Sequence, residues 1–114
     1  MRNAKWSEDE VVLLVDLYSK LAKQGKSLAN SPHELQELSD LLRHHAAETN
    51  SISDTFRNLA GLKMKCANIK SLVDGRGLTH TSLLEQSVVE MMISDPDSLH
   101  EHAKQIRADW EHKI

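Results

Sequence analysis

A chain of 114 residues with 39% apolar and 27% charged residues has the size and composition of one soluble domain with a modest core. The longest apolar run, Val11 to Val15, excludes a membrane span, and no apolar stretch follows Met1 to suggest a signal peptide. Cys66 is the single cysteine, so an internal disulfide and a cysteine zinc site are excluded as well, and a reducing compartment, the cytoplasm, is expected.

Cap chemistry predicts five helices and no strand. Ser7 with Glu10 three residues later forms a capping box, and Trp6 can staple onto the face that follows. That helix carries Val11, Leu14, Val15, Tyr18 and Leu21 or Ala22 at helical spacing and ends at Gly25. Ser31-Pro32-His33-Glu34 repeats the logic, with serine as cap, proline in the first helical position and glutamate closing a second box. Leu35, Leu38, Leu41 or Leu42 and Ala46 form the inner face of this second helix. The Ser-, Thr- and Asn-rich stretch from Glu48 to Asp54 has no periodicity and reads as a loop.

A third helix is expected from Asp54 or Thr55 to about Val73, ended by Gly75-Arg76-Gly77. Ser82 with Glu85 caps a fourth, carrying Leu84, Val88, Met91 and Met92. Asp95-Pro96 stops that one and opens a fifth, with Leu99, Ala103, Ile106 and Trp110 inward. Helices of these lengths are stable only when packed together, so the expected fold is all-α: a five-helix bundle occupying residues 1–114 as one domain. Its second and third helices form a helix-turn-helix-like unit with a long connection.

The net charge of −3 conceals an uneven distribution. Between Thr55 and Leu84 stand Arg57, Lys63, Lys65, Lys70 and Arg76 against a single acid, Asp74, so that segment carries +4 and the remainder −7. At 100° per residue Leu59, Leu62, Cys66, Ile69 and Val73 share one stripe of the third helix, the expected buried face. Cys66 in its middle reads as a small buried hydrophobe. Arg57, Gly61, Met64, Lys65, Asn68 and Ser71 occupy the opposite face, with Lys63 and Lys70 on its flank. That face has no carboxylate, and its glycine costs about 1 kcal/mol inside a helix relative to alanine.

Two readings fit. In one, Gly61 admits a neighbouring helix and the lysines are a solvated face. In the other, the bare backbone lets DNA approach. Arg57, Lys63, Lys65, Lys70 and Arg76 then hold phosphates, while Asn68 and Ser71 reach base edges. Neutralising about four phosphates would give a slope near −3.6 for log affinity against log salt.

Other chemistries are not expected. His44-His45 and His100-x-His102 diverge on a helix, and His33, His80 and His112 are isolated, so no metal site is read. No nucleophile–base signature is present, and Gly75-Arg76-Gly77 lacks the spacing and the Lys-Ser/Thr of a phosphate loop. No cofactor and no catalytic residue is assigned.

The order of motifs is Trp6-Ser7-Glu8-Asp9-Glu10, Leu17-Tyr18, Ser31-Pro32-x-Glu34-Leu35 and Leu38-x-x-Leu41-Leu42. Thr55-Phe56-Arg57-Asn58, Gly61-x-Lys63-Met64-Lys65, Asn68, Leu72, Gly77-Leu78 and Asp95-Pro96 follow. Together they resemble the N-terminal helical domain that precedes HNH nuclease domains in bacterial restriction-type endonucleases, some of which cleave modified DNA. The resemblance spans Trp6 to about Ile106. It implies a DNA-contacting accessory domain of a defence nuclease whose catalytic unit lies elsewhere, in which case this chain is an excised domain. The Glu48 to Asp54 stretch is longer than the tight turn the resemblance suggests. The acidic opening after Trp6 is also similar to Myb-like helical DNA binders, but Trp110 is too remote for their tryptophan spacing.

Two rival readings remain. One is a protein-interaction module, a homodimer or a dock for a nuclease partner, with Met91, Met92 and Trp110 as anchors. The other is a standalone regulator binding a palindromic operator as a dimer.

Overall fold

Five consecutive residues, Val11 to Val15, are each at most 1% exposed, and this run explains the architecture. A helix buried on every side needs neighbours on every side. α1 (Glu8–Lys23) is packed by α2 (Pro32–Ala47), α3 (Leu59–Val73), α4 (Leu83–Ser94) and α5 (Pro96–Glu111). The computed structural model describes residues 5–28, 30–48, 52–75 and 83–111, which form these five helices and their connecting turns. The fold is all-α, with no strand among the described residues, and no described helix is long and apolar enough to cross a membrane. Deleting one of the fully buried leucines of this run, such as Leu14, would cost about 2–5 kcal/mol.

The ends of α1 follow the expected chemistry. The Ser7 hydroxyl accepts from the Glu10 backbone N–H at 3.2 Å, and the Glu10 carboxylate accepts from the Ser7 N–H at 2.9 Å. At the other end the N–H groups of Gly25 and Lys26 bond back to the carbonyls of Ala22 and Leu21, a Schellman closure that places Gly25 at φ +72°. The inner face of α1 is wider than a simple amphipathic pattern predicts, because Val12, Leu13 and Asp16 are buried too. Beyond Asp16 the helix becomes one-sided, with Leu17 and Tyr18 half-buried.

α2 begins at Pro32 as expected, but the second capping box does not form. The Ser31 hydroxyl donates instead to the Ser27 carbonyl at 2.8 Å, and no side chain caps the helix. Leu35, Leu38 and Leu42 are buried. The link from α2 to α3 covers residues 48–58, much longer than the three- or four-residue turn of a helix-turn-helix unit. Its second half is pinned by Arg43, whose Nη1 reaches the carbonyls of Ser53, Asp54 and Phe56 at 3.2, 3.3 and 2.5 Å.

α3 and α4 run in roughly the same direction. Lys65, midway along α3, meets Glu85 in the first turn of α4, and Val73 and Met92 line one groove near the C-terminal ends of the two helices. On α4 the buried residues are Glu85, Val88 and Val89, whereas Met91 is 41% exposed, so the expected inner position of Met91 is taken by Val89. The expected Ser82 cap lies outside the described residues.

α5 buries Leu99, Ala103, Ile106 and Trp110, as its period predicts. The Asp95 carboxylate accepts from the Ser98 N–H at 3.2 Å and from its hydroxyl at 2.7 Å, which holds the Asp95 carboxyl below its ordinary value of 3.8. Two polar contacts fasten α5 sideways. His100 Nδ1 lies 3.1 Å from the buried Asp16 carboxylate of α1, and the Trp110 ring stacks on His45 of α2 with centroids 3.7 Å apart.

Candidate nucleic-acid interface

α3 starts later than its sequence suggests. Phe56 and Arg57 belong to a tight turn, in which the Phe56 N–H bonds to the Ser53 carbonyl and the Asn58 N–H to the Thr55 carbonyl. The N-cap is Asn58, whose side-chain oxygen accepts from the Gly61 N–H at 2.8 Å. Gly61 is therefore the third residue of the helix and not an interior one. A Cβ there would stand 3.2 Å from Asn58 Oδ1. The glycine gives room to the cap, a local reason that replaces both the neighbouring-helix and the DNA-approach readings.

Arg57 is not available to a phosphate. It is 5% exposed, and its Nε and Nη2 donate to the two Glu10 carboxylate oxygens at 2.8 and 2.9 Å. Nη2 also donates to the Lys5 carbonyl at 3.0 Å. The guanidinium carbon lies 4.7 Å from the Trp6 ring centroid and 4.3 Å from that of Phe56. The backbone is held as firmly: Arg57 has φ +48°, and its carbonyl accepts from the buried Ser39 hydroxyl at 2.6 Å. A left-handed non-glycine residue costs about 1 kcal/mol or more, so the surrounding contacts must over-determine it.

Lys65 is also withdrawn from the expected surface. Its ammonium contacts Glu85 at 2.5 Å and lies 5.5 Å from the Trp6 centroid, with the lysine side chain 19% and the glutamate side chain 3% exposed. Ser71 is buried, and its hydroxyl has no hydrogen-bond partner among the described residues, so it reads no base edge. Asn68 is half-buried. Arg76 lies outside the described residues.

Lys63 and Lys70 remain exposed, on one stripe of α3 with Ala60, Met64 and Ala67. The lysines stand seven residues apart, two turns and about 10.5 Å along the axis. No carboxylate occurs in α3; the acid nearest to it along the sequence is its C-cap, Asp74. The first turn of α3 also lacks an acid, whereas each of the other four helices has one there, so the positive end of its dipole is unneutralised by its own residues. The opposite side of the helix behaves as expected: Leu62, Cys66 and Ile69 are buried, and burial pushes the Cys66 thiol up to about 12.

The expected protein-docking anchors divide in a similar way. Trp110 is buried against His45, Met92 is half-buried, and Met91 is exposed. Leu83 and Ile93, which the helical pattern did not single out, are 83% and 62% exposed. Among the described residues no three histidine, cysteine or acidic side chains gather as a metal site.

No family model, curated protein or solved structure matches this chain. What the geometry adds to the resemblance concerns the motifs themselves. Trp6, Ser7, Glu10, Phe56, Arg57, Asn58, Gly61 and Lys65 form one connected cluster joining the start of α1 to the start of α3. These residues, all taken from the motifs that carry the resemblance, are thus construction of the fold.

Proposed function

We propose that the chain is a non-catalytic accessory domain that contacts DNA, of the kind found ahead of HNH-type nuclease units. Its contact surface is the outward stripe of α3. The observation that carries this reading is the acid-free character of that stripe in a chain of net charge −3. Lys63 and Lys70 offer two point charges for phosphates, with the exposed Met64 and the small Ala67 between them on the stripe.

Withdrawing Arg57 and Lys65 from the surface lowers the expected salt dependence. Two phosphates give a slope of about −1.8 for log affinity against log salt, and about −2.7 if Arg76 joins the lysines. Fluorescence anisotropy with a labelled duplex over a range of salt concentrations reads this directly. Changing Lys63 and Lys70 together to Ala should reduce the slope by about 1.8 while leaving the fold intact. Affinity independent of salt, or unchanged in that double variant, rules the surface out.

A second reading, a protein-interaction module, draws support from the exposure of Leu83 and Ile93. A concentration-dependent mass in light scattering, abolished by Leu83→Ser with Ile93→Ser and accompanied by no DNA affinity, would favour it over the first.

A further inference from the structure

We infer that α4 is a surface on which a second copy of this chain docks, the two α4 helices lying antiparallel. The inference rests on the second reading above, of Leu83 and Ile93 as contact residues, and is independent of the α3 stripe. Leu83, Gln86, Glu90 and Ile93 follow one another at intervals of three, four and three residues. On a helix this spacing draws one seam about 15 Å long, the pattern along which two helices pack side by side. Leu83 and Ile93 at its ends are 83% and 62% exposed, Glu90 is exposed, and Gln86 is half-buried. The opposite side of α4, with Glu85, Val88 and Val89, already makes the contacts to the bundle, so the seam is not needed for the fold. A single exposed apolar residue is ordinary. Two of them closing the ends of one seam call for a reason.

The order of residues selects the orientation. In an antiparallel pair centred on position 88, Leu83 faces Ile93 of the second copy and Gln86 faces its Glu90, and the two-fold axis repeats each pairing. The ends are then apolar against apolar. In the middle each Gln86 amide donates to a Glu90 carboxylate across the seam. Neither side chain is hydrogen-bonded or ion-paired among the described residues, so both are available. A parallel pair would instead set Glu90 against Glu90 and desolvate two like charges. Ser87 and Ser94, exposed and seven residues apart, lie beside the seam and add little bulk, so the helices can close on it. Three turns of helix cover less than the roughly 800 Å² per partner of a standard interface, so the dimer is a weak one, dissociating at about 100 µM.

Sedimentation equilibrium of the wild-type chain from about 10 µM to about 1 mM should show a monomer–dimer equilibrium. Gln86→Glu opposes carboxylates in both central layers and should weaken it about tenfold, whereas Gln86→Lys sets an ammonium against each Glu90 carboxylate and should tighten it about fivefold. Mild oxidation reads the register. A mixture of Leu83→Cys and Ile93→Cys proteins should form disulfide-linked dimer at least about fivefold faster than either variant alone, because only the mixed pair brings the two sulfurs together. The native Cys66 is buried and does not compete. Association in which either variant alone cross-links as fast as the mixture, or which ignores both Gln86 substitutions, overturns the antiparallel seam and leaves the protein-interaction reading standing. A wild-type chain that stays monomeric up to about 1 mM overturns the second copy as partner and, with it, the reading of Leu83 and Ile93 as self-association contacts.

Discussion

Lys63 and Lys65 stand two residues apart on α3, yet one extends into solvent and the other ends on a buried carboxylate of α4. The same contrast separates Lys70 from Arg57. The difference lies in what is opposite each cation. Glu10 and Glu85, 8% and 3% exposed, face Arg57 and Lys65, whereas no acid of α3 faces Lys63 or Lys70. A buried carboxylate requires its partner, so a cation placed against one is committed to the fold. Charge counting along a sequence treats these cations alike, and the structure sorts the four described ones into two classes with opposite expected behaviour on mutation.

The sharpest break of that comparison is Arg57→Met. It strands the Glu10 carboxylate in the interior and should cost about 3–5 kcal/mol in urea unfolding. Combining it with Glu10→Gln should recover part of the loss, since no buried charge is then left unpaired. If the single variant is within error of wild type, the buried pair has no structural weight. Lys65→Met tests the second pair and should cost about 1–3 kcal/mol, less because the ammonium retains some contact with water. Asn58→Ala removes the α3 cap and leaves the Gly61 N–H without its acceptor, an expected loss of about 1 kcal/mol. At the far end of the scale, Lys63→Ala and Lys70→Ala should each change stability by less than about 0.5 kcal/mol while, on the proposed reading of the stripe, weakening DNA binding. Stability and affinity are thus expected to move in different variants.

The buried face of α3 gives a prediction in pH. The Cys66 thiol is raised from 9.0 to about 12 by burial. Between those values the unfolded chain has released the proton and the folded chain has kept it. Stability therefore falls as pH rises through that window, by at most about 1.4 kcal/mol per unit, and is unaffected by this group below it. Thiol-specific modification should accordingly be slow in the native protein and fast in denaturant. Equal rates would place Cys66 at the surface.

Legibility in the sequence varied with the physical range of the interactions. α5 was readable almost residue by residue, because Leu99, Ala103, Ile106 and Trp110 form a one-sided helix and Asp95 caps it locally. α1 was half readable. Its capping box is local, but burial of Val12, Leu13 and Asp16 depends on four surrounding helices, and the unbroken apolar run was the signal for it. The start of α3 was placed four or five residues early because Phe56 and Arg57 sit in a turn anchored by Arg43 and Ser39 of α2. The pairing of Arg57 with Glu10 spans 47 positions, and no periodicity reveals a contact of that separation. Two cues were nevertheless present: an arginine next to phenylalanine in a stretch poor in acids, and a tryptophan just before a capping glutamate.

Glu10 serves two structures at once, closing the first turn of α1 and receiving the guanidinium of Arg57. Helix ends ordinarily fray alone, but here fraying of α1 releases the turn that launches α3. The two ends should therefore open as one cooperative unit. In hydrogen exchange, the amides of Ser7 and Glu10 should lose protection together with those of Asn58 and Gly61, and Arg57→Met should accelerate both sets alike. The start of α1 would then act as a latch on a helix half the sequence away.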